Sequence, residues 1–328
     1  MIIDIETAFL YGDFEEGEKI YMNCPDGMTN EQDECLELLK TMYGLVQASR
    51  QYYKKFIKSL KSVGFQGGLV DPCLMVKHDD SGLVYIVIYV DDCLLIGDKL
   101  AIEKAIADIK TTGFTLKEDG SLDDYLSCEV TIDTTNKQGW IHQPHLIKKM
   151  EATFRDLVSQ CQVYANPGAP RTVIFKPKET VISKEEEKTY RSGVGQLLYL
   201  VKHSRPDITN AVRELSKALD GITKVAMKEL KRVLKYVIDT KNLALKISPV
   251  HQGEWTITAF SDSVSGYVLY FMGAPISWRS KGQKSVTLSS AEAEYIALSE
   301  CAKEIKFVYQ LLDFMGIKIK LPIVVRVD

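Results

Sequence analysis

The sequence predicts an α+β fold, and three observations carry that prediction. Runs of β-branched and aromatic residues, such as 83–90 and 93–97, ask for strands. Between them lie stretches with apolar residues at helical spacing, such as Tyr52, Phe56, Leu60 and Val63. With 328 residues, 45% of them hydrophobic, the chain has enough apolar material for two or three domains with real cores.

Taken in order, residues 2–5 read as a strand and 40–63 as a helix with Lys54, Lys55, Lys58 and Lys61 on its outer side. A hairpin follows over 83–97, then a charged amphipathic helix over 99–111 and a strand over 125–132. This first domain is expected to span 1–135. A mostly helical stretch is expected over 136–250, with helices at 145–154, 184–200, 208–219 and 224–237. Pro167, Pro170 and Pro177 punctuate a loop between the first two of these. The helix at 224–237 lines up Lys228, Lys231, Arg232 and Lys235, either as a solvated face or as one that tracks phosphates. The third part, 251–328, reads as strands at 255–260, 266–272 and 276–279, a helix at 289–315 and a last strand at 323–327. Ser289 with Glu292 three residues later is a capping-box pattern for that helix.

Composition narrows the function. A net charge of −3 argues against strong unassisted nucleic-acid binding, although a local basic face can still provide it. Seven cysteines, an odd number without a C-x-x-C pair, favour a reducing compartment over a disulfide framework. His142, His145 and Cys161 are too scattered for a zinc site. No apolar stretch approaches the ~20 residues that span a bilayer, and Met1 leads straight into Ile2-Ile3-Asp4, so neither a membrane span nor a signal peptide is expected.

Chemistry concentrates in Tyr89-Val90-Asp91-Asp92, at the tip of the hairpin. A regular strand alternates its faces, so two adjacent carboxylates share one site only if a turn relaxes that restriction. Held together against an apolar sheet, they repel unless one is protonated or a cation bridges them. A divalent metal meets that demand. Asp4, ending the first strand, is either an ordinary strand end or a further ligand of the same site.

Together the motifs resemble the Pol polyprotein of copia-type LTR retrotransposons. They are Asp4 with Ala8-Phe9, Met42-Tyr43-Gly44 before Leu45-Val-Gln-Ala-Ser-Arg50, and Tyr89-Val-Asp-Asp92. Further along, the segment from Tyr190 to Leu200, Arg205-Pro-Asp-Ile208 and the segment from Ser289 to Leu298 fit the same family. The resemblance implies a reverse transcriptase palm and helical thumb or connection, then a partial ribonuclease H-like domain. Asp4 and Asp91 would be the main ligands of two Mg²⁺ ions (Mn²⁺ in their place), with Asp92 in support. Phe9 would be the steric gate against a ribose 2′-OH, although by itself it reads as a core aromatic. Tyr43 and Gly44 would pack under the nucleotide and template base, with Tyr89 beside them. In the ribonuclease H part the metal-binding carboxylates would be Asp262, Glu294 and Asp328. Glu294 is preferred to Glu292, which the capping box already explains. The implied partners are an RNA template, a DNA primer, an RNA–DNA hybrid and deoxynucleoside triphosphates, inside the cell.

Measured against the family pattern, the chain starts at the catalytic strand, without the preceding fingers segment. It has lost a loop between Asp262 and Gly266, and carries Cys128 where the pattern near Tyr125 has glycine. It also stops before a fourth ribonuclease H carboxylate, so that part is expected to be incomplete and inactive. The alternative is a catalytically inactive remnant or a weak nucleic-acid-binding module.

Overall fold

The computed structural model describes residues 1–25, 27, 35–119, 122, 125–169, 174, 182–250, 253–262, 265–283 and 289–327. It divides into two compact units, Met1–Ser121 and Leu122–Asp328.

In the first unit, β1 (Ile2–Ile5) leads through a 3₁₀ turn (Ala8–Leu10) to a small ribbon of β2 (Tyr21–Asn23) and β3 (Cys35–Glu37). Helix α1 (Ala48–Ser62) follows. Then come β4 (Gln66–Gly67), β5 (Leu74–Asp79), β6 (Gly82–Tyr89), β7 (Asp92–Gly97), helix α2 (Lys99–Thr111) and β8 (Leu116–Asp119). The six-stranded sheet has the order β4-β5-β6-β7-β1-β8, so the first strand of the chain is threaded between two later ones. All its pairings are antiparallel.

Alternation decides which side chains are buried. Ile3, Ile5, Val84, Ile86, Ile88, Cys93 and Leu95 face one way and pack on Tyr52, Phe56 and Leu60 of α1 and on Ala105, Ile106 and Ile109 of α2. Each fully buried Ile or Leu contributes about 1.5–3 kcal/mol. The helix expected from residue 40 begins only at Ala48. Gly44 sits at φ 96°, where a helix cannot continue, and Val46 just before the helix stays exposed.

The second unit opens with β9 (Glu129–Asp133) and β10 (Gln138–His142), then α3 (Pro144–Val158), α4 (Lys184–His203), a 3₁₀ turn (Pro206–Ile208), α5 (Thr209–Lys217) and α6 (Lys224–Asp239). β11 (Leu245–Ile247) completes a three-stranded sheet with β10 and β9. Each helix offers one apolar stripe to a shared core that includes Met150, Phe154, Tyr190, Leu197, Leu215 and Leu230. Ser183 and Glu186 form a reciprocal capping box at the start of α4. The strand expected over 125–132 is shorter, because Tyr125 and Cys128 close a tight turn with Leu126 at φ 53° and Ser127 at φ 59°. The glycine-demanding positions are therefore 126 and 127, not Cys128.

The remaining elements are β12 (Ile257–Asp262), β13 (Gly266–Phe271), β14 (Ala274–Ser280), α7 (Ser290–Phe314) and β15 (Val324–Val327), in sheet order β14-β13-β12-β15. β12 and β15 are parallel, with α7 as the crossover between the antiparallel hairpins and the last strand. Trp255 lies outside the strand expected there and bridges to Ile319. Ala259, Leu269 and Tyr267 face α7 through Cys301, Ile305 and Val308. The opposite face meets the helices: Trp278 donates its indole N–H to the Val201 carbonyl at 2.8 Å, and Arg213 donates to Ser280 at 2.8 Å. Among the described residues no helix is long and apolar enough to cross a membrane.

Candidate functional site

Four residues from four strands form one row across the first sheet. Tyr89 pairs with Asp92, Asp92 with Asp4, and Asp4 with Lys117. Directly opposed residues project to the same face. Their neighbours Ile3, Ile5 and Cys93 point into the helix-covered core, so the row lies on the face away from α1 and α2. Asp91 stands beside it in the two-residue turn Val90-Asp91. The Ile5 amide donates to the Asp91 carbonyl at 2.9 Å, which fixes the turn against β1.

The turn is strained. Val90 sits at φ 56°, a region that β-branched residues avoid. Tyr52 on α1 donates its hydroxyl to the Val90 carbonyl at 3.0 Å and holds the turn in place.

Electrostatics follow from this crowding. Burial and then the Asp91 charge raise the pKa of Asp4; Lys117 opposes them without cancelling them. Burial, reinforced by Cys93, Asp91 and Asp4, keeps the Tyr52 hydroxyl protonated. Burial and the three aspartates do the same for the Cys93 thiol. Among the described residues no three Asp, Glu, His or Cys side chains are drawn together into a ready-made metal site. The donors here are hard carboxylate oxygens, the type that Mg²⁺ and Mn²⁺ take.

An aromatic group adjoins the aspartates. Phe9 lies 5.0 Å from Tyr43 between ring centroids and 6.1 Å from Tyr52, edge to face with the latter. Thr41 ties the segment down, its hydroxyl donating to the Phe9 carbonyl at 2.6 Å. Phe9 is only partly buried, while Tyr43, Gly44 and Tyr89 are exposed. The structure thus brings Phe9 and Tyr43 together, with Tyr52 behind them. Spacing gave no hint of Tyr52 beyond its place on an apolar stripe, and none of Lys117, which only strand register brings opposite Asp4.

In the second unit, Asp262 is the exposed last residue of β12. It lines a cleft of about 580 Å³ with Asn210, Arg213, Phe260, Arg279 and Arg326. Three guanidinium groups line it beside one carboxylate, with Arg213 paired to Glu214 at 2.9 Å and Arg279 to Glu300 at 3.6 Å. Glu294 is partly buried in the first turns of α7, and its Oε2 atom is buried without a hydrogen-bond partner among the described residues. Glu292 is exposed, and its amide donates to the Ser289 hydroxyl at 3.1 Å. Asp328 lies outside the described residues.

Comparison with known proteins identifies the group. Residues 1–157 match the family described as reverse transcriptase (RNA-dependent DNA polymerase). The putative transposon Ty5-1 protein of Saccharomyces cerevisiae is 30% identical over 92% of this chain and 100% of its own length. The chain belongs to the copia-type retrotransposon Pol family. The Pol polyprotein of transposon TNT 1-94 of Nicotiana tabacum is 32% identical over 96% of this chain and 24% of its own length. That of transposon RE2 of Arabidopsis thaliana is 31% identical over 99% of this chain and 22% of its own. The chain thus spans about a quarter of the length of these two polyproteins. Its N-terminal part is a reverse transcriptase-like domain of retrotransposon Pol polyproteins, within a mixed α/β fold.

One motif of the Pol resemblance proves to be architectural. Arg205, 1% exposed, forms a two-pronged pair with Asp207 at 2.9 and 2.8 Å and donates to the Thr240 hydroxyl at 2.9 Å. The Tyr236 hydroxyl donates to the same Asp207 carboxylate at 3.1 Å. Burial pushes the Asp207 pKa up, but the Arg205 hydrogen bonds and charge, with Tyr236, outweigh it and leave the carboxyl below its ordinary value. The group joins the α4–α5 connection to α6.

Proposed function

We propose that the first unit carries a reverse transcriptase site extending a DNA primer on an RNA template with deoxynucleoside triphosphates. The observation that carries this reading is the register that sets Asp4 against Asp92, with Asp91 in the adjoining turn. Asp4 and Asp91 would hold two Mg²⁺ ions (Mn²⁺ in their place), with Asp92 as the supporting carboxylate. A cation entering between like charges so placed would offset their repulsion; the Asp4 pKa is raised first by burial and then by the Asp91 charge. When bound, the ions lower the pKa of the primer 3′-OH and neutralise the triphosphate and its leaving group.

The chain supplies placement. Phe9 presents its ring beneath the sugar and clashes with a ribose 2′-OH. Tyr43 backs Phe9, and Gly44, at φ 96°, lets the loop turn under the nucleotide and template base. Tyr89, exposed at the end of β6, flanks the aspartates on the same face. Lys117, opposite Asp4, adds a cation beside the site.

For the second unit the reading is an incomplete ribonuclease H-like remnant, in which Asp262, Glu294 and Asp328 would be the metal-binding carboxylates and an RNA–DNA hybrid the partner. Its support is the strand order with β12 parallel to β15, and the Glu294 carboxylate oxygen buried without a partner among the described residues. The arginine-lined cleft beside Asp262 suits the phosphates of such a hybrid. The 2′-OH marks the strand to be cut.

Primer extension on an RNA template, with Mg²⁺ or Mn²⁺, tests the main reading beside an Asp91→Asn variant. Extension lost in the variant supports it. No extension by the folded parent leaves the alternative, an inactive remnant or a weak nucleic-acid-binding module. Cleavage of a labelled hybrid, compared with a Glu294→Gln variant, tests the second site in the same way.

A further inference from the structure

We propose that Tyr52 is a positioning residue that couples the Val90-Asp91 turn to the Phe9 ring; the coupling rests on reading the three aspartates as the polymerase site. One side chain touches both halves of that site. Its hydroxyl donates to the Val90 carbonyl at 3.0 Å. Its ring meets Phe9 edge to face at 6.1 Å. At 2% exposure it cannot swing away, being stacked on Phe56 at 5.8 Å and set edge-on to Phe114 at 6.4 Å.

The turn needs such a partner. Val90 at φ 56° holds a conformation that neither glycine nor asparagine is there to ease. From one side the Ile5 amide holds the Asp91 carbonyl; from the other, Tyr52 holds the carbonyl just before it. Without the hydroxyl, the Val90 carbonyl loses its acceptor role toward α1, and the turn that aims Asp91 is freer to move. Without the ring, Phe9 loses the wall behind it, since its other aromatic neighbour, Tyr43, is itself exposed. Hydroxyl and ring therefore have separable effects: the first on the metal-bearing turn, the second on sugar selection.

Two variants of the full chain separate them. Tyr52→Phe keeps the ring and removes the donor. Amide hydrogen exchange over residues 88–93, in metal-free protein, should speed up about tenfold. In primer extension kcat should fall about tenfold, with KM for the deoxynucleotide within about twofold. Tyr52→Leu removes the ring, and preference for deoxynucleotides over ribonucleotides should drop about tenfold. A merely structural role would lower stability in both variants and leave that selectivity ratio unmoved. Unchanged exchange over 88–93 in Tyr52→Phe overturns the coupling, and does so even if the parent extends no primer. An Asp91→Asn variant as active as the parent instead removes the polymerase reading and leaves the exchange result to stand alone.

Discussion

Asp4 and Asp92 face each other across the β1–β7 ladder, and the next residue of β1, Ile5, donates its amide to the Asp91 carbonyl at 2.9 Å. The first residues of the chain are thereby registered against a turn nearly ninety positions later. That one alignment sets the geometry of the whole acidic site.

The cost of that alignment is testable through Asp4. Its folded pKa lies above the ordinary carboxylate value, so the stability it contributes is present at low pH, where it is neutral. That contribution is lost as pH rises through the folded value. In metal-free protein, Asp4→Asn should therefore match the parent in acid and be more stable near neutral pH, by no more than about 1 kcal/mol given its exposure. Thermal melts at both pH values check this, and Mn²⁺ should raise the melting temperature of the parent but not of the variant.

Arg205→Ala should cost about 1–3 kcal/mol, because it removes a buried side chain and leaves the partly exposed Asp207 carboxylate without its cationic partner. Asp207 has a depressed folded pKa, so its contribution is present above the ordinary carboxylate range and is lost as pH falls through the folded value. Urea unfolding of parent and variant should converge toward strong acid. A difference that persists unchanged there would contradict the assignment.

Gly12 is required for close approach. A Cβ there would lie 2.2 Å from the Thr41 hydroxyl oxygen and 3.1 Å from the Tyr52 backbone nitrogen. The same hydroxyl donates to the Phe9 carbonyl, so Gly12→Ala should cost about 1–3 kcal/mol and disturb Phe9 as well. Chemical denaturation reads the first effect, and a loosened deoxynucleotide preference would read the second.

Ser127→Gly should stabilise the protein by about 1 kcal/mol, since glycine removes the left-handed penalty at φ 59°. Cys128→Gly at the neighbouring position should instead destabilise it, because Cys128 is buried, 6% exposed, and not in that conformation. Paired melts of the two variants distinguish a demand for glycine at 127 from one at 128.

Much of the fold was legible because its signals are local. The strands at 2–5 and 83–97, the helix at 99–111 and those at 184–203 and 224–239 follow from alternation, helical stripes and caps, all set by neighbouring residues. The misplaced boundaries have local causes too, but ones that propensity hides. Gly44 at φ 96° stops a helix from starting before Ala48, and non-glycine residues occupy the left-handed turns at 90, 126 and 127.

The site divides the same way. The sequence by itself supplied the carboxylates, the aromatic at position 9 and the family to which they belong. Only the tertiary structure decided that Asp4 opposes Asp92 and Lys117, that Tyr52 reaches both Val90 and Phe9, and that Arg205 is a buried strut. Periodicity fixes which face of a strand or helix each side chain takes. It says nothing of which strands lie side by side or in what register, because those pairings depend on how distant apolar faces share one core.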